Sequence, residues 1–192
     1  MSVFKYIESE IERIISKSEI PEDSEHSKNT RAWILRLKPE ADMALQIAGL
    51  GHDIERSIKE LKINRENYTC YDDFKMAHAR NSAKVLRELL AQYDLVKIIR
   101  DKVVNLVTHH EFGGSPEANI LREADSISYF DVNLPFYFQR NSKSETAFRI
   151  MWGYQRLSDE GKAIVRDFSY DDIELETLIR DVVSKVAGKP VY

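Results

Sequence analysis

A single cysteine, Cys70, stands among 192 residues, which excludes an intramolecular disulfide and any zinc module built on cysteine. Positive charge is not in surplus either: 28 Lys+Arg face 32 Asp+Glu, a net charge of -4. A basic stripe for DNA or RNA would push that count the other way, so no nucleic-acid polymer is expected as a partner. Nowhere does an apolar run approach the roughly 20 residues of a membrane span. The opening stretch, MSVFKYIE, carries charges where a signal peptide would have its apolar core, so a cytoplasmic protein with no membrane partner is expected. Internal repeats and low-complexity blocks are lacking too. What is present is 43% hydrophobic residues, enough for one domain with a core.

Those residues recur at helical spacing. Val3, Phe4, Ile7, Ile11, Ile14 and Ile15 mark an amphipathic helix ending near Ser18. Pro21-Glu22-Asp23-Ser24 reads as a turn and N-cap opening a second helix through His26, Thr30, Ile34 and Leu35. Pro39 suits the first turn of a third helix, which runs from Ala41 to about His52 and is apolar on nearly all sides, as a buried helix is. Residues 62–73 show no period and read as a loop, with a lid over a pocket as one use for it. Helices follow from about Phe74 to Leu90, from Leu95 to His109 and from Pro116 onward. Asn133, Leu134 and Pro135 mark a break, and further helices are expected near 143–157, 159–167 and 172–187. No strand is convincing, so the expected fold is an all-α bundle, one domain over 1–192.

Five histidines are an ordinary number for this length, but their positions are informative. His26, His52, His78, His109 and His110 all fall on expected helices, mostly near their ends. Two of these sites adjoin acids, as His52-Asp53 and His109-His110-Glu111, and Asp125 lies on the next helix within Ala124-Asp125-Ser126-Ile127. In order, the chain reads His, His-Asp, His, His-His-Glu, Asp. Polar groups at the end of a buried helix need a partner or a metal to offset desolvation.

At His26, His52-Asp53 and Asp125 the sequence resembles the HD-domain phosphohydrolase superfamily. The lead-in Ala48-Gly49-Leu50-Gly51-His52-Asp53-Ile54 is similar to that family's small, apolar helix ending in His-Asp. The resemblance covers about 24–130, which would be the HD core, and leaves 131–192 as a C-terminal helical extension. It implies a helical bundle holding divalent metal, with His26, His52, Asp53 and Asp125 as ligands. Extra histidines between His-Asp and the last Asp occur in the bimetal branches, which points to His78 and to His109 or His110 for a second ion, with Asp53 bridging.

The chemistry of the donors agrees with that division. Imidazole and carboxylate suit a borderline or hard divalent ion (Mn, Fe, Co, Ni, Zn or Mg), and the set exceeds what a closed structural zinc site takes. Two ions can clamp a phosphoryl group and generate hydroxide between them. His109-His110-Glu111 also resembles the HD-GYP cyclic-dinucleotide phosphodiesterases, but Phe112-Gly113-Gly114-Ser115-Pro116 contains no Gly-Tyr-Pro, and no Gly-Lys follows His52-Asp53-Ile54. A cyclic-dinucleotide role is therefore disfavoured.

Several further residues have two readings each. Glu55 either orients or deprotonates water, as a Glu near His-Asp does in the nucleotidase-like branch, or is a solvent-facing helix-end residue. Glu111 either holds a neighbouring histidine in its ligating tautomer or simply ends a helix. Among the cations near the motif (Lys28, Arg31, Arg56, Lys75, Arg80 and Arg122), Arg56 is the best candidate for a phosphate, being four residues after His52. The aromatic residues Tyr129, Phe130, Phe136, Tyr137, Phe138, Trp152 and Tyr154 read as core before they read as a wall for a base.

The expected activity is a divalent-metal-dependent phosphohydrolase, a phosphomonoesterase or phosphodiesterase. Its substrate would be a nucleotide or related small phosphorylated molecule, attacked by a metal-bound hydroxide. Asp53, Glu55 and Arg56 are the catalytic candidates. Two alternatives keep the fold: a non-catalytic HD protein that senses a nucleotide, and a di-iron oxygenase.

Overall fold

The computed structural model describes residues 2–187. It is helical throughout, with no strand among the described residues. No helix there is long and apolar enough to cross a membrane. The chain divides into two compact units, Met1–Asp125 and Ser126–Tyr192.

In the first unit, α1 (Val3–Ile15) begins where the Ser2 side chain accepts from Lys5 N–H, and it buries Ile7, Ile11 and Ile15, one face at four-residue steps. It ends before Ser18, because the Ser16 N–H already closes the last turn on Glu12. Asp23–Leu37 forms α2, and Met43–Gly51 forms α3. The start of α3 differs from the Pro39–Ala41 expectation: Asp42 takes the cap, its carboxylate accepting from Leu45 N–H at 3.0 Å. Short 3-10 turns follow at Ile54–Ser57 and Arg65–Asn67, then α4 (Tyr71–Leu90), α5 (Lys97–Thr108) and α6 (Pro116–Ser128). The unit boundary falls within α6.

Helix α3 is the centre of this unit, packed on α1, α2 and α5. Its small residues set how closely neighbours approach. A Cβ on Gly51 would meet Leu86 of α4 at 2.8 Å, and one on Gly49 would meet Ile34 of α2 inside contact distance. Ala44, Leu45, Ile47, Ala48 and Leu50 complete a helix buried almost all round, as its composition predicts. It delivers His52 and Asp53 to the middle of the unit.

In the second unit a π-helical turn, Tyr129–Asn133, runs straight into α7 (Leu134–Arg140). The sequence reading places a break at Asn133-Leu134-Pro135. Pro135 instead occupies the first turn of α7, where the missing N–H costs nothing. Then come α8 (Lys143–Gln155), α9 (Asp159–Arg166) and α10 (Ile173–Ala187). Ser142 and Glu145 form a reciprocal capping box that starts α8. Phe130 and Tyr154 are buried against each other edge to face, and the Arg149 guanidinium lies 5.2 Å from the Tyr129 ring and 5.5 Å from that of Tyr137. Phe130 and Tyr154 are thus core residues of this unit, Tyr129, Tyr137, Phe138 and Trp152 are half-buried, and Phe136 is exposed.

Leu86→Ala is expected to lower unfolding free energy by about 2–5 kcal/mol, and Gly51→Val by about 1–3 kcal/mol. Combined, they should cost less than their sum, since the cavity left by one accepts the other's methyls. Urea unfolding followed by circular dichroism measures all three.

Candidate metal centre

Five segments of the first unit converge at one place. His26 comes from the first turns of α2, His52 from the residue capping α3, His78 from α4, His110 from just beyond α5, and Asp125 from α6. His26 Nε2 lies 3.2 Å from His52 Nε2, and Asp125 Oδ1 lies 3.2 Å from the former and 3.4 Å from the latter. These three residues form one group able to hold an ion, and Asp53, His78 and His110 form a second. Asp53 faces both. Its Oδ1 is 2.6 Å from His78 Nε2 and 3.8 Å from His110 Nε2, but also 3.7 Å from His52 Nε2. A third grouping joins His110, Glu111 and Asp125.

The backbone settles which nitrogen of each ring points inward. His52 Nδ1 lies 2.9 Å from the Gly49 carbonyl and His110 Nδ1 lies 2.7 Å from that of Val107. A carbonyl only accepts, so both Nδ1 atoms carry hydrogen and both Nε2 atoms are directed at the cluster. His78 Nδ1 donates to Glu55 Oε1 at 2.5 Å, the carboxylate–histidine arrangement that orients metal ligands. Imidazole Nε2 atoms and carboxylate oxygens converging in this way fit a divalent ion or a pair of them.

Protons take part of that role when no metal is bound. Burial opposes charging His52, but Asp53 and Asp125 outweigh it and hold its pKa up at about 9. His78 is raised in the same manner, against burial, by Asp53 and Glu55. Burial likewise opposes the Asp53 charge, yet His52, Arg56 and His78 keep its carboxyl well below the usual carboxylate range.

Two expected site residues take different places. His109 is exposed, its Nδ1 donating back to the Asn105 carbonyl at 2.8 Å, and it joins none of the three groupings. Consecutive residues at a helix end point about 100° apart, so only one of the two histidines can face inward, and it is His110. Glu55 is buried behind His78 and does not face solvent; its Oε2 accepts from Ile63 N–H at 2.9 Å. Its two oxygens are thus engaged by His78 and by the Ile63 N–H.

Of the six cations considered, two reach the cluster. Arg56 pairs with Asp53 and, at 3.3 Å, with Asp23 Oδ1. Burial opposes its charge, but those acids raise its pKa further. Lys75 pairs with buried Glu111. Lys28 lies 3.9 Å from Glu12, Arg31 pairs with Glu8, Arg80 is exposed, and Arg122 donates to the Phe112 carbonyl. Asp23, read from sequence only as part of a turn, is the residue that reasoning missed. Its one visible signal is an acid three residues before a candidate ligand, which many surface helices share.

A family model described as a domain of unknown function (DUF4202) matches residues 8–179. No curated protein and no solved structure matches the chain.

His110→Ala should abolish binding of a divalent ion at the second group while His109→Ala leaves it intact, as read by metal content after dialysis. Glu55→Gln should weaken metal binding about 10- to 100-fold. His52 also predicts a pH dependence of stability. Its folded-state pKa lies above the ordinary histidine value of 6.5, so the stability it contributes is full below pH 6.5 and is lost as pH rises through about 9. The metal-free protein should therefore melt at lower temperature at pH 9 than at pH 6.5, measured by calorimetry.

Proposed function

From the premise that the chain belongs to the DUF4202 family, we propose that it is a divalent-metal-dependent phosphohydrolase acting on a small phosphorylated molecule, a nucleotide in the first place. One observation carries this reading: His26, His52 and Asp125 meet as one ligand group, His78 and His110 as another, and Asp53 lies between the two. The order of these residues along the chain, which resembles the HD pattern, supports it further.

In this reading His26, His52 and Asp125 would hold one ion and His78 and His110 a second, with the Asp53 carboxylate available to either. Divalent ions in such a site supply Lewis acidity toward a phosphoryl oxygen and a source of nucleophilic water at neutral pH. The protein's own part is to fix and balance charge. Gly49 and Val107 carbonyls and Glu55 hold three imidazoles by their outer nitrogens, so the rings need no reorientation when an anion arrives. Arg56 offsets Asp53 and Asp23 at the edge of the cluster, where 27% of its side chain remains exposed to meet a substrate oxygen. Lys75 offsets Glu111 on the other side. With a net charge of -4, the chain relies on these local cations and on metal to attract an anion.

The test is metal analysis of the purified protein by mass spectrometry, followed by a phosphoester panel with added Mn or Co. Phosphate release is expected, reduced at least about a hundredfold in Asp53→Asn and retained in Ile98→Ala, a 74% exposed position. A protein that takes up none of Mn, Fe, Co or Zn would overturn the reading, as would a metal-loaded one that releases no phosphate. Oxygen-dependent substrate loss in place of phosphate release would move it to the oxygenase class.

A further inference from the structure

The segment between the 3-10 turn after Asp53 and the start of α4 is exposed and polar. None of residues 59–70 is buried, and the short turn Arg65–Asn67 has no core residue at all. Yet three aromatic rings assemble at its end. Tyr68 and Phe74 have ring centroids 6.1 Å apart, and Tyr71 and Phe74 are 5.9 Å apart. Phe74 then stacks on His78, at 6.3 Å with 25° between the planes. The Arg65 guanidinium lies 5.6 Å from the Tyr71 ring and 6.0 Å from the Phe74 ring. All three aromatic residues are half-buried, so each retains surface open to solvent.

This chain of rings leads from an exposed loop to one of the metal-binding histidines. None of the three rings is among the fully buried residues of the unit's core, which comes from α1 to α6. Their register to the cluster is fixed by α4, which carries Tyr71, Phe74 and His78 together, and the loop is tied to that helix at two places. Glu55 holds His78 through Oε1 and the loop through Oε2, which accepts from Ile63 N–H, while Asn81 donates to the Leu61 carbonyl. A group resting on the rings is therefore held at a set distance from whatever the histidines hold.

We propose that Tyr68, Tyr71 and Phe74, with Arg65 across their faces, form a platform on which the aromatic ring of a phosphorylated substrate stacks. The substrates of the site are then ring-bearing phosphomonoesters such as nucleoside monophosphates. The inference rests on the phosphohydrolase reading for the fate of the phosphoryl group, but the platform is a statement about binding. Aromatic faces stack any base, and a guanidinium strengthens the contact with a π-face while adding positive charge near the anion. Selectivity should accordingly be broad among bases and strict for the presence of a ring.

The experiment compares adenosine monophosphate with ribose 5-phosphate by isothermal titration calorimetry, on the full chain with and without Mn, and follows phosphate release in parallel. The unmodified protein should bind the ring-bearing ligand at least about tenfold more tightly. Tyr68→Leu and Phe74→Leu should each shrink that ratio toward one, while Ile98→Ala should leave it as it was. Tyr68 lies in a stretch with no buried residue, so its substitution tests the platform without disturbing the core. Equal affinities for the two ligands overturn the inference, as does a ratio that survives both leucine substitutions. Ring-dependent binding without phosphate release keeps the platform and removes the hydrolase; phosphate release without ring preference does the reverse. Failure to bind either ligand removes the platform, and the accompanying metal and phosphate measurements then decide the hydrolase separately.

Discussion

Carboxylates and imidazole nitrogens that face one another inside a protein need positive charge between them, and much of the first unit is arranged around that need. Asp53, Asp125 and Glu111 are drawn into a region where His52 and His110 have no exposed surface. Each buried anion there loses hydration that only close cations return. Arg56 and Lys75 supply part of it from the rim, and protons on His52 and His78 supply another part. A divalent ion provides more charge per atom than either, without the volume of a side chain. The charge balance of the cluster and the proposed chemistry would both be served by a divalent ion.

Packing makes that concentration of polar groups possible. Helix α3 has glycine where it touches α2 and again where it touches α4, so its last turn reaches the middle of the unit. Larger residues there would hold His52 away from His26 and Asp125. The helix ends do the orienting: the carbonyls of Gly49 and Val107 accept from the rings of His52 and His110 and fix them. Backbone carbonyls near helix termini thus serve as the supports of a polar cluster.

Glu55 ties this centre to its surroundings. One oxygen sets the tautomer of His78 and the other accepts from Ile63 N–H, so a surface loop is tied to the polar cluster. The second unit has its own organisation. Its core includes the edge-to-face pair Phe130 and Tyr154, and Arg149 lies over the half-buried rings of Tyr129 and Tyr137.

Helical periodicity alone predicts most of the elements here, because amphipathic faces such as Ile7-Ile11-Ile15 and the apolar run before His52 leave few alternatives. The order of histidines and acids likewise predicts the donor types. Helix α7 escaped that reading, since a proline in a first turn and a proline at a break look alike in one dimension. The choice between His109 and His110 could not be made from neighbours in sequence, because it depends on the rotation at the end of α5. Nor could the placement of Glu55 behind His78, a contact across 23 residues. By itself the sequence determined which groups are available and on which helices they ride, through local periodicity and capping. Only the tertiary structure decided which of them meet, because convergence depends on how closely helices pack and which way each terminus turns.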